Sequence, residues 1–310
     1  MGVLYVVSAE EAVGKTAICA GIAINLVNAG KKVGYLKPQA ADKGMADGDI
    51  SFMRKTLGLA DIVNAPDIIQ GRDVVLVEAK LGKKASDAAS KDAYGASKEM
   101  KAKAIAVEAY APDFSGVKYT ELYKGFGDSF LGVVINKVPQ SLLKKVRETA
   151  ASGSVKVLGI IPENRVLLAI TVAELAESIK GKIINKTKNN DELVENYMLG
   201  AMTPDSGVDY FVRKSKKAAV IRQERADMQL AALETPTAAL VLAGSSQPPI
   251  YNVLNKANRR GVPVIVTESN TNDIVAGIEN ALAKSRLNQE KKLARLGEIV
   301  KQNLDMKVLG

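Results

Sequence analysis

Nine residues, Ser8 to Thr16, reading SAEEAVGKT, stand between an apolar run at Val3 to Val7 and an apolar helical stretch from Ala17 to Val27. A buried strand that passes through a turn of small residues into Gly-Lys-Thr at a helix start leaves few folds open. It calls for a parallel sheet with the helix laid on it, and Ala17, Ala20, Gly21 and Ala23 give that helix a face able to approach closely. The stretch also carries chemistry. Backbone N–H groups at a helix start, a lysine ammonium and a hydroxyl are what a phosphate chain and its metal ion require. Gly14, Lys15 and Thr16 therefore read as a nucleotide anchor, with Val13 and Ala17 on either side. The GxxxxGK[ST] spacing asks for glycine at Ala9, and a variant one residue longer asks for it at Ser8. Neither is glycine, so the anchor rests on its place after the first strand.

Downstream, Lys32 to Leu36, Asp73 to Val77, Ala104 to Val107, Leu131 to Ile135 and Val157 to Ile161 read as further strands, with a helix at Ile50 to Leu57. The even hydrophobicity of VVLV at Val74 to Val77 suits a sheet buried on both faces. Strands alternating with helices predict a doubly wound, mostly parallel α/β sheet whose ligands sit at the strand C-terminal ends. Glu78, ending its strand, and Asp49 are then the candidates for a Mg²⁺ shell; a helix cap is the other reading of Asp49. The stretch from Ala79 to Lys103, rich in lysine, alanine and serine, reads as an excursion that forms a mobile lid.

At 310 residues the chain has room for two cores. A polar, basic segment from Gly181 to Asp191 predicts a boundary near residue 192, giving domains 1–191 and 192–285 and a terminal helix over 286–310 docked on a neighbour or a partner. In the second half, a helix over Glu192 to Met198 and a short one over Val208 to Arg213 precede strands and helices in alternation. These are strand Ala218 to Ile221, helix Ala226 to Leu233, strand Ala238 to Ala243, helix Ile250 to Arg260, strand Val262 to Thr267 and helix Asn272 to Lys284. They make a smaller α/β unit. Arg225 and Asp227, at a helix start, and Gly244, in a strand-to-helix turn, are its candidate contacts for a small anionic ligand. A cap with its partner, and an ordinary turn, are the alternatives.

The formal charge of +9 suits an anionic partner, but the lysines are scattered among acidic residues and read as a solvated surface, not as a nucleic-acid face. With no histidine, Ser-His triads and histidine metal sites are excluded; with Cys19 alone, so are intramolecular disulfides and zinc clusters. No apolar run approaches the roughly 20 residues of a membrane span, and no charged leader precedes the first strand, which predicts a cytoplasmic protein.

In order and spacing, SAEEAVGKT, YLKPQA, DGDI, VVLVEA, GVVINKVP and GIIPENR resemble the dethiobiotin synthetase-like P-loop ATPase domain over residues 1–190. VENYMLGAM, RADMQLAALE, LVLAG and GVPVIVTESNT resemble a DRTGG domain. The two are joined in this way at the N-terminus of long phosphate acetyltransferases. The resemblance implies ATP and Mg²⁺ as ligands, with Gly14, Lys15 and Thr16 on the phosphates, Lys37 on the γ-phosphate or a substrate oxyanion, and Asp49 and Glu78 on the metal. It implies adenine recognition by Asn136, with Lys137 beside it. Where this family has glycine, the chain has Ser8 and Ala79, whose Cβ atoms narrow the backbone's approach to phosphate, and the run Glu78-Ala79-Lys80-Leu81-Gly82 departs from the ligase substrate wall. The expectation is a nucleotide-binding regulatory or accessory protein of acetyl-phosphate and acetyl-CoA metabolism, alone or with a separate acetyltransferase chain, and a homodimer. An ATP-dependent ligase of the dethiobiotin synthetase or cobyrinate amidase type is the alternative, and a non-enzymatic scaffold the fallback. With the chain ending at Gly310, a phosphate acetyltransferase by itself is not expected.

Overall fold

The computed structural model describes residues 2–38, 48–58, 71–112, 121–151, 153, 155–201, 207–283, 285 and 289–309. The chain forms two compact units, residues 1–167 with 287–310, and 168–286.

The first unit carries a six-stranded sheet built from β1 (Gly2–Ser8), β2 (Val33–Leu36), β3 (Val74–Lys80), β4 (Lys103–Ala109), β5 (Phe130–Val138) and β6 (Val157–Pro162). Its order is β2-β3-β1-β4-β5-β6 and every pairing is parallel. Strand side chains alternate between faces. Leu4, Val6, Leu76, Ile105, Val107 and Val134 accordingly join the core under helix α1 (Lys15–Asn28), whereas Tyr5, Val7, Val75, Val77, Ala104 and Ala106 join a second core on the opposite face. That explains the unbroken apolar runs. α2 spans Gly48–Leu57.

The expectation of a lid over Ala79 to Lys103 is corrected. β3 runs on to Lys80, and Ala88–Glu99 is helix α3, with Ser90, Ala93 and Ser97 buried. Small residues three and four apart make a close-packing face, and the segment is pinned by hydrogen bonds. Gly82 N donates to Ser90 Oγ at 3.0 Å, Ser90 Oγ to the Lys84 carbonyl at 2.8 Å, and the Tyr94 hydroxyl to the Leu122 carbonyl at 2.6 Å. The terminal helix, Leu293–Asn303, lies on α1 within this unit. Val300 packs against Gly21, and Asn25 Nδ2 donates to the Gly297 carbonyl at 2.9 Å, so glycines on both helices set the close approach.

Before the second unit proper, α4 (Leu143–Ala151) and α5 (Arg165–Leu168) flank β6. In the second unit β7 (Ile170–Thr171) precedes α6 (Val172–Ser178), which carries a capping box from Thr171 and Glu174. The five-stranded sheet has the order β10-β11-β12-β13-β8, where β8 is Lys182–Ile183, β10 Asn196–Leu199, β11 Lys217–Arg222, β12 Thr237–Ala243 and β13 Val264–Thr267. Only β8 runs antiparallel. A helix over Glu192 to Met198 is not formed: β9 (Leu193–Val194) pairs with β7, and β10 pairs with β11. Buried edges offering unpaired backbone groups outweigh the local helical preference. These pairings place residues 168–191 in the second unit, upstream of the position near 192 that composition suggests. Helices α7 (Gly207–Phe211), α8 (Ala226–Leu233), α9 (Tyr251–Arg260) and α10 (Thr271–Ala283) complete it. Gly261 ends α9 in the left-handed conformation at φ 65°, and the first turn of α10 is capped by Asn270, whose Oδ1 accepts from Asp273 N at 3.0 Å.

Lys217 is fully buried, its Nζ donating to Thr235 Oγ1 at 2.8 Å and to the Pro236 carbonyl at 3.0 Å. Burial, with help from the Arg260 charge, lowers its pKa to about 8. Because the unfolded chain holds this proton up to the ordinary lysine range, folding releases it between these two values, so this group's penalty is present below about pH 8 and fades as pH rises toward 10.5. Denaturant midpoints measured from pH 7 to 10 should therefore rise for the wild type relative to Lys217→Met, whose profile lacks this contribution.

Candidate functional site

Alternation along the strands assembles the site. Ser8 extends the Leu4 and Val6 series, Glu78 the Leu76 series and Asn136 the Val134 series, so all three end on the α1 face at the C-terminal edge of the sheet. Gly14 precedes α1 with φ 94° and ψ 27°, and a Cβ there would collide with Asn136 Nδ2. Glycine is required on both counts. Asn136 is buried and its Nδ2 donates to the Val13 carbonyl at 2.8 Å; Lys137 Nζ donates to the Ala12 carbonyl at 2.7 Å. Lys80 pairs with Glu11 at 2.6 Å. The loop is thus braced from β3 and β5.

Val13 is buried in the core, while Glu10, Glu11 and Ala12 are exposed. Lys15 reaches back across the loop, its Nζ donating to Ser8 Oγ at 2.6 Å. Burial holds the Lys15 ammonium below the ordinary lysine value; Glu78, Cys19 and Glu108 oppose that shift and Lys37 adds to it. Thr16 Oγ1 donates to both Glu78 oxygens, at 3.1 and 3.0 Å, and the Tyr35 hydroxyl donates to Glu78 Oε2 at 2.6 Å. Ala17 packs half-buried in the first turn of α1. Lys37, half-buried just past the end of β2, lies within the electrostatic reach of Lys15. Asp49 falls in the first turn of α2, and its side chain lies outside the described residues.

Tyr35, which meets Glu78, and Glu108, whose charge reaches Lys15, escape a reading by motif. Glu108 ends the apolar run of β4 as Glu78 ends that of β3, buried on the opposite face with the Tyr123 hydroxyl donating to it. An acid closing a buried strand was the available signal. Tyr35 carried none, since an aromatic in a short strand reads as core.

Thr16 and Glu78 fit a magnesium ion shared with phosphate oxygens, a hydroxyl and a carboxylate side by side at a helix start. Among the described residues no group of three or more Asp, Glu, Cys or His could hold a metal without such a ligand. Cys19 is fully buried, and burial pushes its thiol well above the ordinary range.

In the second unit Arg225 stands at the N-terminal cap of α8 and grips Asp227 bidentately, Nε to Oδ1 at 3.0 Å and Nη2 to Oδ2 at 2.8 Å. That hydrogen bond holds the Asp227 carboxyl below its usual value. Gly244 has φ 87°, but its N–H and that of Ser245 are spent on carbonyl oxygens of Thr267 and Ser269 at 2.9 to 3.1 Å. An anion-binding turn built on those two amides is therefore not formed.

A parallel sheet, a lysine-bearing loop at the first helix and an acid beside its threonine define a phosphate-loop nucleotide-binding fold. Residues 4–171, more than half of the chain, match the CobQ/CobB/MinD/ParA nucleotide binding domain, and the chain belongs to that family; residues 174–281 match the DRTGG domain. Among solved structures, the CBS and DRTGG domains of the regulatory region of a Clostridium perfringens pyrophosphatase, complexed with the activator diadenosine tetraphosphate, match 41% of this chain at 15% identity and TM-score 0.34. This chain covers 56% of that one. The MinD cell division protein of Aquifex aeolicus matches 54% of this chain and 84% of its own at 17% identity and TM-score 0.38. The Pyrococcus horikoshii MinD, complexed with Mg-ADP, gives 54%, 83%, 15% and 0.35 for the same four quantities. Likenesses this distant carry no argument about function. Among the described residues no helix is long and apolar enough to cross a membrane.

Proposed function

We propose that the first unit binds ATP with Mg²⁺ and that the chain works as a nucleotide-dependent regulatory or accessory protein. The observation that carries this reading is the Lys15 ammonium drawn across the loop while the Thr16 hydroxyl meets the Glu78 carboxylate. Gly14, Lys15 and Thr16 would surround the phosphates. Thr16 and Glu78 would hold the magnesium ion, which when bound neutralises the phosphate oxygens. A role beside acetyl-phosphate metabolism draws support only from the resemblance to the N-terminal region of long phosphate acetyltransferases. A ligase reading has one observation in its favour, the second ammonium of Lys37 near Lys15, an arrangement that would stabilise a transferring phosphoryl group.

Calorimetry with ATP, with and without Mg²⁺, tests the proposal. Glu78→Gln should lower the contribution of magnesium to ATP affinity by about 10- to 100-fold, the cost of losing a group that orients or binds a metal. Binding in EDTA should stay near the wild-type level. Wild-type protein that binds no ATP contradicts the proposal.

A further inference from the structure

Ser8 occupies a position where the resembling family has glycine, and it is fully buried at the floor of the loop. Its hydroxyl proton is committed to the Glu10 carbonyl at 2.7 Å, which turns the oxygen lone pairs toward Lys15 Nζ at 2.6 Å. The result is a relay of two hydrogen bonds, Lys15 ammonium to Ser8 hydroxyl to Glu10 carbonyl. A lysine ammonium has three donors on a flexible stem, and one of them is here fixed to a rigid strand end. The stem is thereby held across the loop, and two donors are left for a ligand.

We infer that Ser8 is a positioning residue for Lys15, its hydroxyl fixing the ammonium where the β- and γ-phosphates of a nucleoside triphosphate bind. The inference rests on the nucleotide reading of the first unit and deepens it: the chain replaces the backbone freedom of glycine by a side-chain hydrogen bond that prepays part of the ordering of the lysine. The carbonyl of Ser8 still accepts from Leu81 N at 2.9 Å, a backbone contact that any residue at this position keeps.

The test is calorimetry on the full chain with Mg·ATP and with AMP, for wild type, Ser8→Ala, Ser8→Gly and Ser8→Thr, each checked for a cooperative thermal melt. Alanine and glycine should weaken ATP binding by about tenfold, the scale of one hydrogen bond to a charged group. AMP affinity should not change, because AMP lacks the phosphates that Lys15 meets, and threonine should restore ATP affinity toward the wild-type value. ATP affinity unchanged or tighter in Ser8→Ala and Ser8→Gly overturns the inference, the hydroxyl then being idle or a competitor of phosphate. Parallel loss of ATP and AMP binding overturns it too, as a purely structural effect. A folded wild type that binds no ATP removes the nucleotide reading itself, a result distinct from both. Glycine, which only removes atoms, keeps the test open should alanine fail to fold.

Discussion

Lys15→Met abolishes ATP binding at concentrations that saturate the wild type, and leaves the fold intact. The ammonium sits half-buried, feeling the opposite charges of Glu78 and Glu108 and the like charge of Lys37, and burial already weakens its hold on the proton. Methionine keeps the unbranched stem and removes only the charge, so the uncomplexed protein loses a desolvated cation and its thermal midpoint should hold or rise. The ligand, in contrast, loses the partner of its terminal phosphates. Truncating one member of a buried, hydrogen-bonded charge pair costs about 2–5 kcal/mol, roughly 30- to several-thousand-fold in affinity. Titration calorimetry beside a thermal melt separates the two effects. Unchanged affinity would mean that the lysine serves the loop alone.

Gly14→Val should be the most damaging substitution in the first unit, because it strikes twice. At φ 94° a β-branched residue is strained by about 1–3 kcal/mol before any contact is counted. The new Cβ also strikes Asn136 Nδ2, which must leave the Val13 carbonyl and release the brace between β5 and the loop. Urea unfolding should shift to a lower midpoint, and ATP binding should vanish with it. A variant of wild-type stability that still binds would show that the turn tolerates another path.

Much of this was legible because period and spacing survive without tertiary information. The run from Val74 to Val77, apolar on both faces, announced a central strand, and Gly-Lys-Thr after the first strand announced the loop. Where the reading failed, packing had overruled composition. Ala, Ser and Lys between Ala88 and Glu99 look like a solvated excursion, yet Ser90, Ala93 and Ser97 recur at helical spacing and bury against the sheet. Glu192 to Met198 has helix-compatible residues but pairs instead with the edges of β7 and β11. The partnership of Ser8 with Lys15 was invisible, since a serine in place of glycine reads first as an obstruction to phosphate. Only the direction of its hydroxyl makes it a support.

A structure of the chain with a non-hydrolysable ATP analogue and Mg²⁺ tests the account most directly. It predicts the triphosphate inside the loop at the start of α1, amides of residues 13–16 on its oxygens, Lys15 Nζ on the β- and γ-phosphates, and the metal between Thr16 and the phosphate chain. A nucleotide seated elsewhere, or a loop still closed on Lys15 and Ser8 with no phosphate within reach, would contradict it.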